Sequence, residues 1–236
     1  MGRMIKFTKS EGLGNDFIIV DAIHQNIENL DLSSIAKKWC DRHFGIGADG
    51  LILVMNSSVA DIQMRIINAD GSEPEMCGNG IRCFAKFVQD NRIVTKSIFK
   101  VETLAGIIGP KVTTDINQNC QIVVDMGEPI LNAPDIPTIN TQQGPVINKE
   151  IQVEGQVFQY TGISMGNPHA VVFVDNVNEV PLSEWGPIFE THNEFPAGVN
   201  TEFVEVISPQ FARMRVWERG AAETLACGSG ACATLV

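Results

Sequence analysis

The stretch Ala226-Cys227-Gly228-Ser229-Gly230, close to the end of the chain, repeats a pattern that the sequence has already used once. Met76-Cys77-Gly78-Asn79-Gly80 carries the same Cys-Gly-x-Gly, 150 residues earlier. Each cysteine leads into a glycine-rich turn and then into a run of residues with helical spacing. A duplicated cysteine at the start of a helix is therefore the feature from which the fold and the chemistry are predicted.

The register of the repeat extends beyond the two cysteines. Upstream, Arg65 is matched by Arg215, and Gly14-Asn15 is matched by Gly166-Asn167 with a shift of 152 residues. Such self-similarity indicates a duplicated structural unit. We expect an α+β fold of two similar pseudo-symmetric units, residues 1–128 and 129–236, each a mixed β-sheet wrapped around a central helix. The expected active site lies in the cleft between the units.

Composition narrows the class of protein. The chain has 236 residues, 44% of them hydrophobic, and its net charge of −11 comes from 28 acidic against 17 basic side chains. This acidic balance argues against a nucleic-acid partner, which would require a basic surface. No apolar run approaches the ~18–20 residues of a membrane span, and the start of the chain lacks the apolar core of a signal peptide. We expect a cytoplasmic protein with no membrane partner and with reduced cysteines.

Local patterns predict several elements. Short strands are expected over 4–7 and 97–103, and helices over 32–43, 181–193 and 231–236. The run from Ile81 to Val88 is apolar on most faces, which predicts a buried central helix. Cys40 and Cys120 are predicted to be small buried residues, and the same core role is expected of Cys83 and Cys232.

The start of a helix suits both cysteines to proton transfer. Free backbone N–H groups and the positive end of the helix dipole lower a thiol pKa from about 8.5 toward neutrality and bind carboxylates. If Cys77 and Cys227 face opposite sides of one α-carbon, one thiolate can remove a proton while the other thiol returns one. Such two-base inversion needs groups whose protonation states can exchange near the working pH, and it needs no cofactor and no metal.

Other polar residues fit the recognition of an amino acid. Asn15, Asn68, Asn167 and Asn200 lie in turns, where asparagine also occurs for conformational reasons. Glu218 and Arg219 are candidates to hold an ammonium and a carboxylate group. His169 is equally compatible with a structural and a catalytic role.

Other interpretations of the cysteines fit less well. The spacings between Cys77 and Cys83 and between Cys227 and Cys232 are not those of zinc knuckles, and a Cys-x-x-Cys redox pair is absent. Gly78-Asn79-Gly80 lacks the third glycine of a dinucleotide-binding turn. A non-catalytic module that binds a small anion or amino acid remains an alternative, because it would keep the glycines without needing either thiol.

Taken together, these motifs resemble the diaminopimelate epimerase family. The resemblance rests on Gly12 to Phe17, Asn68 to Ser72, Met76 to Cys83, Gly166 to His169 and Glu218 to Cys232. It implies a diaminopimelate epimerase-like fold and interconversion of LL- and meso-diaminopimelate, without pyridoxal phosphate or metal, in lysine and peptidoglycan biosynthesis. Proline and hydroxyproline racemases share the fold and the cysteine pair, but they typically carry His where this chain has Asn79.

The resemblance also implies roles for individual residues. Cys227 would remove the proton from the LL isomer and Cys77 would donate one. His169 and Glu218 would support the reacting ammonium group and the thiols. Two further groups would hold the substrate: around the reacting carboxylate Gly78, Asn79, Gly228 and Ser229, and at the distal end Asn68, Asn167, Asn200 and Arg219.

Four departures from the family pattern are visible. Gly50 stands where some members have Gln, Ser229 replaces a usual Thr, and Ala222 replaces a usual Gly in a turn. Members usually continue for about 40 residues beyond the position of Val236, with strands that would cover the last helix. We also expect a homodimer.

Overall fold

Two mixed sheets of six strands each organise the chain in the computed structural model, which describes residues 4–27, 29–117, 119–139 and 143–236. The chain divides into two compact units, Met1–Asp125 and Met126–Val236. The sequence-based division at residues 128 and 129 stays a prediction of domain limits.

Among its described residues the first unit contains one six-stranded sheet, one hairpin and two helices. The sheet runs in chain order, β1 Thr8–Gly12, β2 Asn15–Asp21, β3 Gly50–Met55, β4 Ile62–Asn68, β5 Val101–Thr103 and β6 Gly106–Ile108. The hairpin is β7 Pro110–Thr114 with β8 Cys120–Val124, and the helices are α1 Leu32–Cys40 and α2 Gly78–Asp90.

Helix α2 is the centre of this unit because one of its faces is fully apolar. Ile81, Phe84, Ala85 and Val88 have no exposed surface, and their spacing follows the helical period. They pack against one face of the sheet, whereas α1 covers the opposite face. The sheet is therefore covered on both faces, by α2 on one and by α1 on the other.

The second unit has its own six-stranded sheet. Its strands also lie in chain order: β9 Val146–Val153, β10 Gln156–Ser164, β11 Pro168–Phe173, β12 Asn200–Ser208, β13 Phe211–Glu218 and β14 Ala222–Thr224. Helix α3, Leu182–Glu190, connects β11 to β12, and helix α4, Gly228–Leu235, follows β14.

The two units repeat one topology, which confirms the predicted α+β class with two similar units. β1 to β4 pair antiparallel, parallel and antiparallel, and β10 to β13 pair in the same sequence. In each unit a helix connects the parallel pair. Arg65 Nε donates to Glu73 at 2.8 Å, and Arg215 Nε donates to Glu223 at 3.0 Å. Equivalent positions of the repeat therefore form equivalent ion pairs.

Several local predictions were wrong. Residues 4–7 form no strand, since β1 begins at Thr8, and only the end of the stretch 97–103 becomes β5. Strands β9 and β14 were not anticipated. Cys120 is exposed on β8, so its predicted burial was wrong, whereas the burial of Cys40 and Cys83 is confirmed. Alternation along a short strand does not reveal which face meets a core.

Candidate active site

Cys77 caps the N-terminus of α2. Its backbone is extended, and its Sγ accepts a hydrogen bond from the Gly80 backbone N–H at 3.3 Å. Sulfur thus occupies the place that a serine or aspartate oxygen takes in an ordinary helix cap. The position puts Sγ at the positive end of the helix dipole, where negative charge on sulfur is favoured.

Asn15, which begins β2, faces this thiol. Its Oδ1 lies 3.8 Å from Cys77 Sγ, which donates to it, and 3.4 Å from Asn79 Nδ2. Asn15 Nδ2 donates to Asp49 Oδ2 at 2.7 Å. Because Asp49 holds the amide nitrogen, the amide oxygen is the atom turned toward Cys77.

Asn79 and Asn68 have local partners in the first unit. Arg82 donates to Asn79 Oδ1 and, at 2.9 Å, to the carbonyl oxygen of Gly78. Asn68 ends β4 and donates to Ser72 Oγ at 3.1 Å. The structure therefore brings Asn15, Gly78 and Asn79 around Cys77, whereas the contact shown for Asn68 is within its own turn.

Cys227 caps α4 in the same way. Its Sγ accepts from the Gly230 N–H at 3.3 Å, and the residue is buried. Burial raises the pKa of this thiol, and the nearby carboxylates of Glu218 and Glu202 raise it further. Hydrogen bonds from Ser229 and Gly230 act in the opposite direction. The neutral thiol is consequently the favoured form until a positive charge approaches.

Glu218 lies at the end of β13, next to this thiol. Burial raises the pKa of its carboxyl, although hydrogen bonds with Thr224 and Cys227 act against the shift. Thr224 Oγ1 donates to Glu218 Oε1. A buried carboxylate beside Cys227 is well placed to pair with an incoming ammonium group, since both groups lose their water on binding.

A chain of hydrogen bonds connects the interior of the second unit to Cys227. His169 Nδ1 lies 2.7 Å from Glu202 Oε1, and His169 Nε2 lies 3.0 Å from Asn167 Oδ1. Asn167 Nδ2 donates to Ser229 Oγ at 3.3 Å, and Ser229 Oγ lies 3.5 Å from Cys227 Sγ. Four of the predicted site residues are thus joined by contact.

Asn200 and Arg219 form a neighbouring group in the second unit. Asn200 Nδ2 donates to the carbonyl oxygen of Pro168 at 2.8 Å, and Asn200 Oδ1 accepts from the Arg219 backbone N–H at 3.0 Å. Arg219 Nη1 donates to the carbonyl oxygen of Ala197 at 3.1 Å. Asn200 therefore ties the start of β11 to the residue that follows β13.

Four residues next to the site were missed by the sequence reasoning: Asp49, Arg82, Glu202 and Thr224. Glu202 carried a weak signal, since it is an acidic residue beside the apolar residues of strand β12, but its complete burial is visible only in the structure. The other three are ordinary polar residues of a loop, a helix and a short strand. Their relevance depends on contacts that only the folded chain makes.

Ala222 opens the short strand that leads to Cys227. Its φ is +62°, in the left-handed region that L-residues other than glycine, asparagine and aspartate rarely adopt. The turn therefore requires a positive φ at this position. Glycine adopts such a φ without strain, so the replacement of the usual Gly by Ala222 matters here. The chain carries backbone strain five residues before the catalytic candidate.

Two absences concern the described residues alone. Among them, no group of three or more His, Cys, Asp or Glu side chains is arranged to hold a metal ion. No helix in the same part of the chain is long and apolar enough to cross a membrane.

Nearly the whole chain is similar to proteins of one family. The family model described as diaminopimelate epimerase matches residues 7–132 and 161–236. A diaminopimelate epimerase of Methanococcus maripaludis is 54% identical over 231 residues, which cover 98% of this chain and 82% of that relative. One of Heliobacterium modesticaldum is 51% identical over 234 residues, with coverages of 98% and 83%.

Solved structures agree on the fold. A hydroxyproline epimerase from Agrobacterium vitis, with bound trans-4-hydroxy-L-proline, matches with a TM-score of 0.70 at 14% identity. The match covers 97% of this chain and 75% of that one. At this identity the likeness concerns the fold alone.

Proposed function

Because the chain belongs to the diaminopimelate epimerase family, we propose that it interconverts LL- and meso-diaminopimelate by inverting one α-carbon. It is then an isomerase of lysine and peptidoglycan precursor biosynthesis. The observation that carries the proposal is the pair of equivalent helix caps, in which Cys77 and Cys227 each accept a hydrogen bond from a backbone N–H at 3.3 Å.

The reaction requires two thiols that differ in protonation. Cys227 as thiolate removes the α-proton of the LL isomer, and Cys77 as thiol donates a proton to the opposite side of the carbon. The thiol form of Cys77 is supported by its hydrogen bond to Asn15 Oδ1, an acceptor that stabilises S–H rather than S⁻. For the reverse reaction the two roles exchange.

The substrate itself alters the thiol of Cys227. The pKa of Cys227 is raised in part by the carboxylate of Glu218. An ammonium group bound at Glu218 neutralises that charge and adds a positive charge near sulfur, and both effects favour the thiolate. The base is therefore formed when substrate binds, which protects a strong nucleophile from side reactions in the empty enzyme.

The first turns of the two helices are suited to the reacting carboxylate. Gly78 and Gly228 follow the cysteines, and backbone N–H groups at helix starts bind carboxylates and stabilise charge that builds on their oxygens. Asn79 adds a side-chain donor in the first of these turns, and Ser229 adds its backbone N–H in the second. For the distal amino-acid end we propose Asn68, Asn167, Asn200 and Arg219 as contacts.

The test is hydrogen exchange at the reacting carbon. In heavy water, the protein should incorporate deuterium at Cα of diaminopimelate while interconverting the LL and meso isomers. Absence of both exchange and inversion would refute the proposal. Binding of diaminopimelate without turnover would instead support the alternative of an amino-acid-binding module.

A second candidate follows from the likeness to hydroxyproline epimerase. The shared fold makes proline or hydroxyproline a candidate substrate class. Asn79 stands where racemases of that kind carry His, and it is engaged by Arg82 and Asn15. A racemisation screen of diaminopimelate against proline and hydroxyproline decides between the two. The homodimer, the cytoplasmic location and the lack of a cofactor requirement stay predictions.

A further inference from the structure

Glu202 is a buried carboxylate that the proposed reaction does not use. It has no exposed surface, and its Oε1 lies 2.7 Å from Nδ1 of His169, which is equally buried. Its Oε2 has no hydrogen-bond partner within the described part of the chain. A charged group held in this way is costly, because burial removes its water and only one of its oxygens is compensated.

The first unit shows that the fold does not need this pair. Phe17 lies opposite Gly50 in the parallel pair of β2 and β3, just as His169 lies opposite Asn200 in the pair of β11 and β12. Two residues further along β3 is Ile52, the counterpart of Glu202. Phe17 and Ile52 are buried apolar residues. The second unit has thus replaced an apolar pair by an ionisable one, beside the helix that Cys227 caps.

Hydrogen-bond directions indicate which protons the pair carries. His169 Nδ1 faces the Glu202 carboxylate and His169 Nε2 faces Asn167 Oδ1, and both of these oxygens are acceptors. When Glu202 is ionised, these contacts require the ring to donate from both nitrogens, as an imidazolium does. The positive ring then offsets part of the negative charge that the Glu202 carboxylate places near Cys227.

The donor and acceptor directions of the next hydrogen bonds can be followed from Asn167 to the thiol of Cys227. Asn167 presents its oxygen to His169 and consequently its Nδ2 to Ser229 Oγ, which accepts at 3.3 Å. With that lone pair occupied, the Ser229 hydroxyl hydrogen is available to Cys227 Sγ at 3.5 Å. A hydroxyl that donates to sulfur stabilises a thiolate. A neutral histidine with its proton on Nδ1 would turn the Asn167 amide around and reverse this polarity.

We propose that Glu202 is a positioning residue that keeps His169 doubly protonated, so that Asn167 and Ser229 are oriented to donate a hydrogen bond to the thiolate of Cys227. The proposal rests on the function proposed above only in taking Cys227 as the base. The proposal also means that the two thiols have different surroundings. Cys77 faces an acceptor, Asn15 Oδ1, and the first unit has the apolar pair Phe17 and Ile52 where the second has His169 and Glu202.

The first experiment compares two isosteric variants in strand β12. Glu202→Gln should lower kcat/KM for LL-diaminopimelate by about tenfold to a hundredfold, the range expected when a hydrogen bond to a charged group is lost. Glu205→Gln removes a carboxylate of the same strand that contacts Val177 and Arg213, away from Cys227. The kcat/KM of this control for LL-diaminopimelate should stay within about twofold of that of the parent protein.

The second readout is independent of turnover. In protein labelled with ¹⁵N-histidine, NMR should show both ring nitrogens of His169 protonated, with the signal assigned by its loss in His169→Gln. In Glu202→Gln this doubly protonated state should disappear. If only one ring nitrogen of His169 is protonated in the parent protein, the inference is wrong, even if the enzyme is fully active. If the ring is doubly protonated but the protein is inactive, only the proposed function is refuted.

A double variant separates positioning from folding. His169→Phe with Glu202→Ile copies the pair of the first unit, so it should fold with a urea midpoint no lower than that of the parent protein, yet lose activity. In a His169→Gln background, adding Glu202→Gln should change kcat/KM by less than about twofold, because the carboxylate acts through the ring. Independent, multiplicative losses would contradict the inference.

Discussion

Gly230 donates its backbone N–H to Cys227 Sγ at 3.3 Å, and the carboxylate of Glu202 lies directly behind the same glycine. The glycine has the thiol on one side and a buried acid on the other. Gly80 makes the same hydrogen bond to Cys77 but has no acid behind it. The two halves of the repeat therefore share the helix cap and differ in what lies behind it.

This difference predicts unequal effects of two matched substitutions. In Gly230→Ala the new Cβ would lie 2.4 Å from Glu202 Oε1, so the helix or the acid must move, at a cost of about 1–3 kcal/mol in stability. In Gly80→Ala the closest atoms are 3.3 Å away, and the gain in helix propensity offsets mild crowding. Urea denaturation measures both, and equal losses would contradict the geometry.

Both thiols at the helix starts are expected to be required for inversion. Cys77→Ala and Cys227→Ala should each lower the rate of inversion by about a hundredfold to ten-thousandfold, the range that one acid or base contributes. Isomer composition is followed by chromatography with time. Cys120→Ala serves as the control, because this thiol is exposed on β8 and lies outside both helix caps. Inversion retained in either helix-cap variant would refute the two-base scheme.

Asp49 is expected to act on catalysis through Asn15. It accepts from Asn15 Nδ2 at 2.7 Å, and its loss would let the amide turn and present nitrogen to Cys77. Asp49→Asn should lower kcat/KM by about tenfold, the value of one hydrogen bond to a charged group. Asp90→Asn, at the far end of α2, is the control. A loss in the control as large as in Asp49→Asn would contradict a specific role.

Ala222 offers a gain in stability. Its φ of +62° strains any residue with a Cβ, so Ala222→Gly should raise the free energy of unfolding by about 1 kcal/mol. The neighbouring substitution Ala221→Gly provides no such relief and should be neutral or destabilising, since glycine adds freedom to the unfolded chain. Urea midpoints of the two variants test this, and the opposite order would show that the turn is unstrained.

Glu218 should make stability depend on pH. Its pKa is raised in the folded protein by burial, whereas in the unfolded chain the carboxyl titrates near 4.5. As pH rises past 4.5 the unfolded state loses its proton first, so the free energy of unfolding falls with pH until the folded carboxyl also ionises. Glu218→Gln cannot titrate.

The stability of Glu218→Gln relative to the parent protein should therefore increase as pH rises from about 4 to about 7. Glu184→Gln, which changes an exposed carboxylate of α3, is the matched control. A pH-independent difference for Glu218→Gln would mean that burial does not perturb this carboxyl.

Much of the fold could be predicted from the repeat, and the reason is physical. A Cys-Gly-x-Gly turn followed by helical spacing predicts a capped helix, and α2 and α4 do begin directly after Cys77 and Cys227. Because the two repeats match at a constant spacing in the sequence, we expected both units to have the same topology. Strands β9 and β14 were harder, because each is an edge strand that pairs with one neighbour and leaves much of its length exposed, so the hydrophobic alternation is weak.

What the sequence determined by itself is the chemistry that is available: two thiols at helix starts, the asparagines of the turns and the family to which they belong. Only the tertiary structure decided which groups touch the thiols. Whether a glutamate in a strand is solvated or buried against a histidine depends on the face it occupies and on what packs there. Glu202 and Asp49 therefore became part of the site only in the folded chain, where hydrogen bonds join residues more than 30 positions apart.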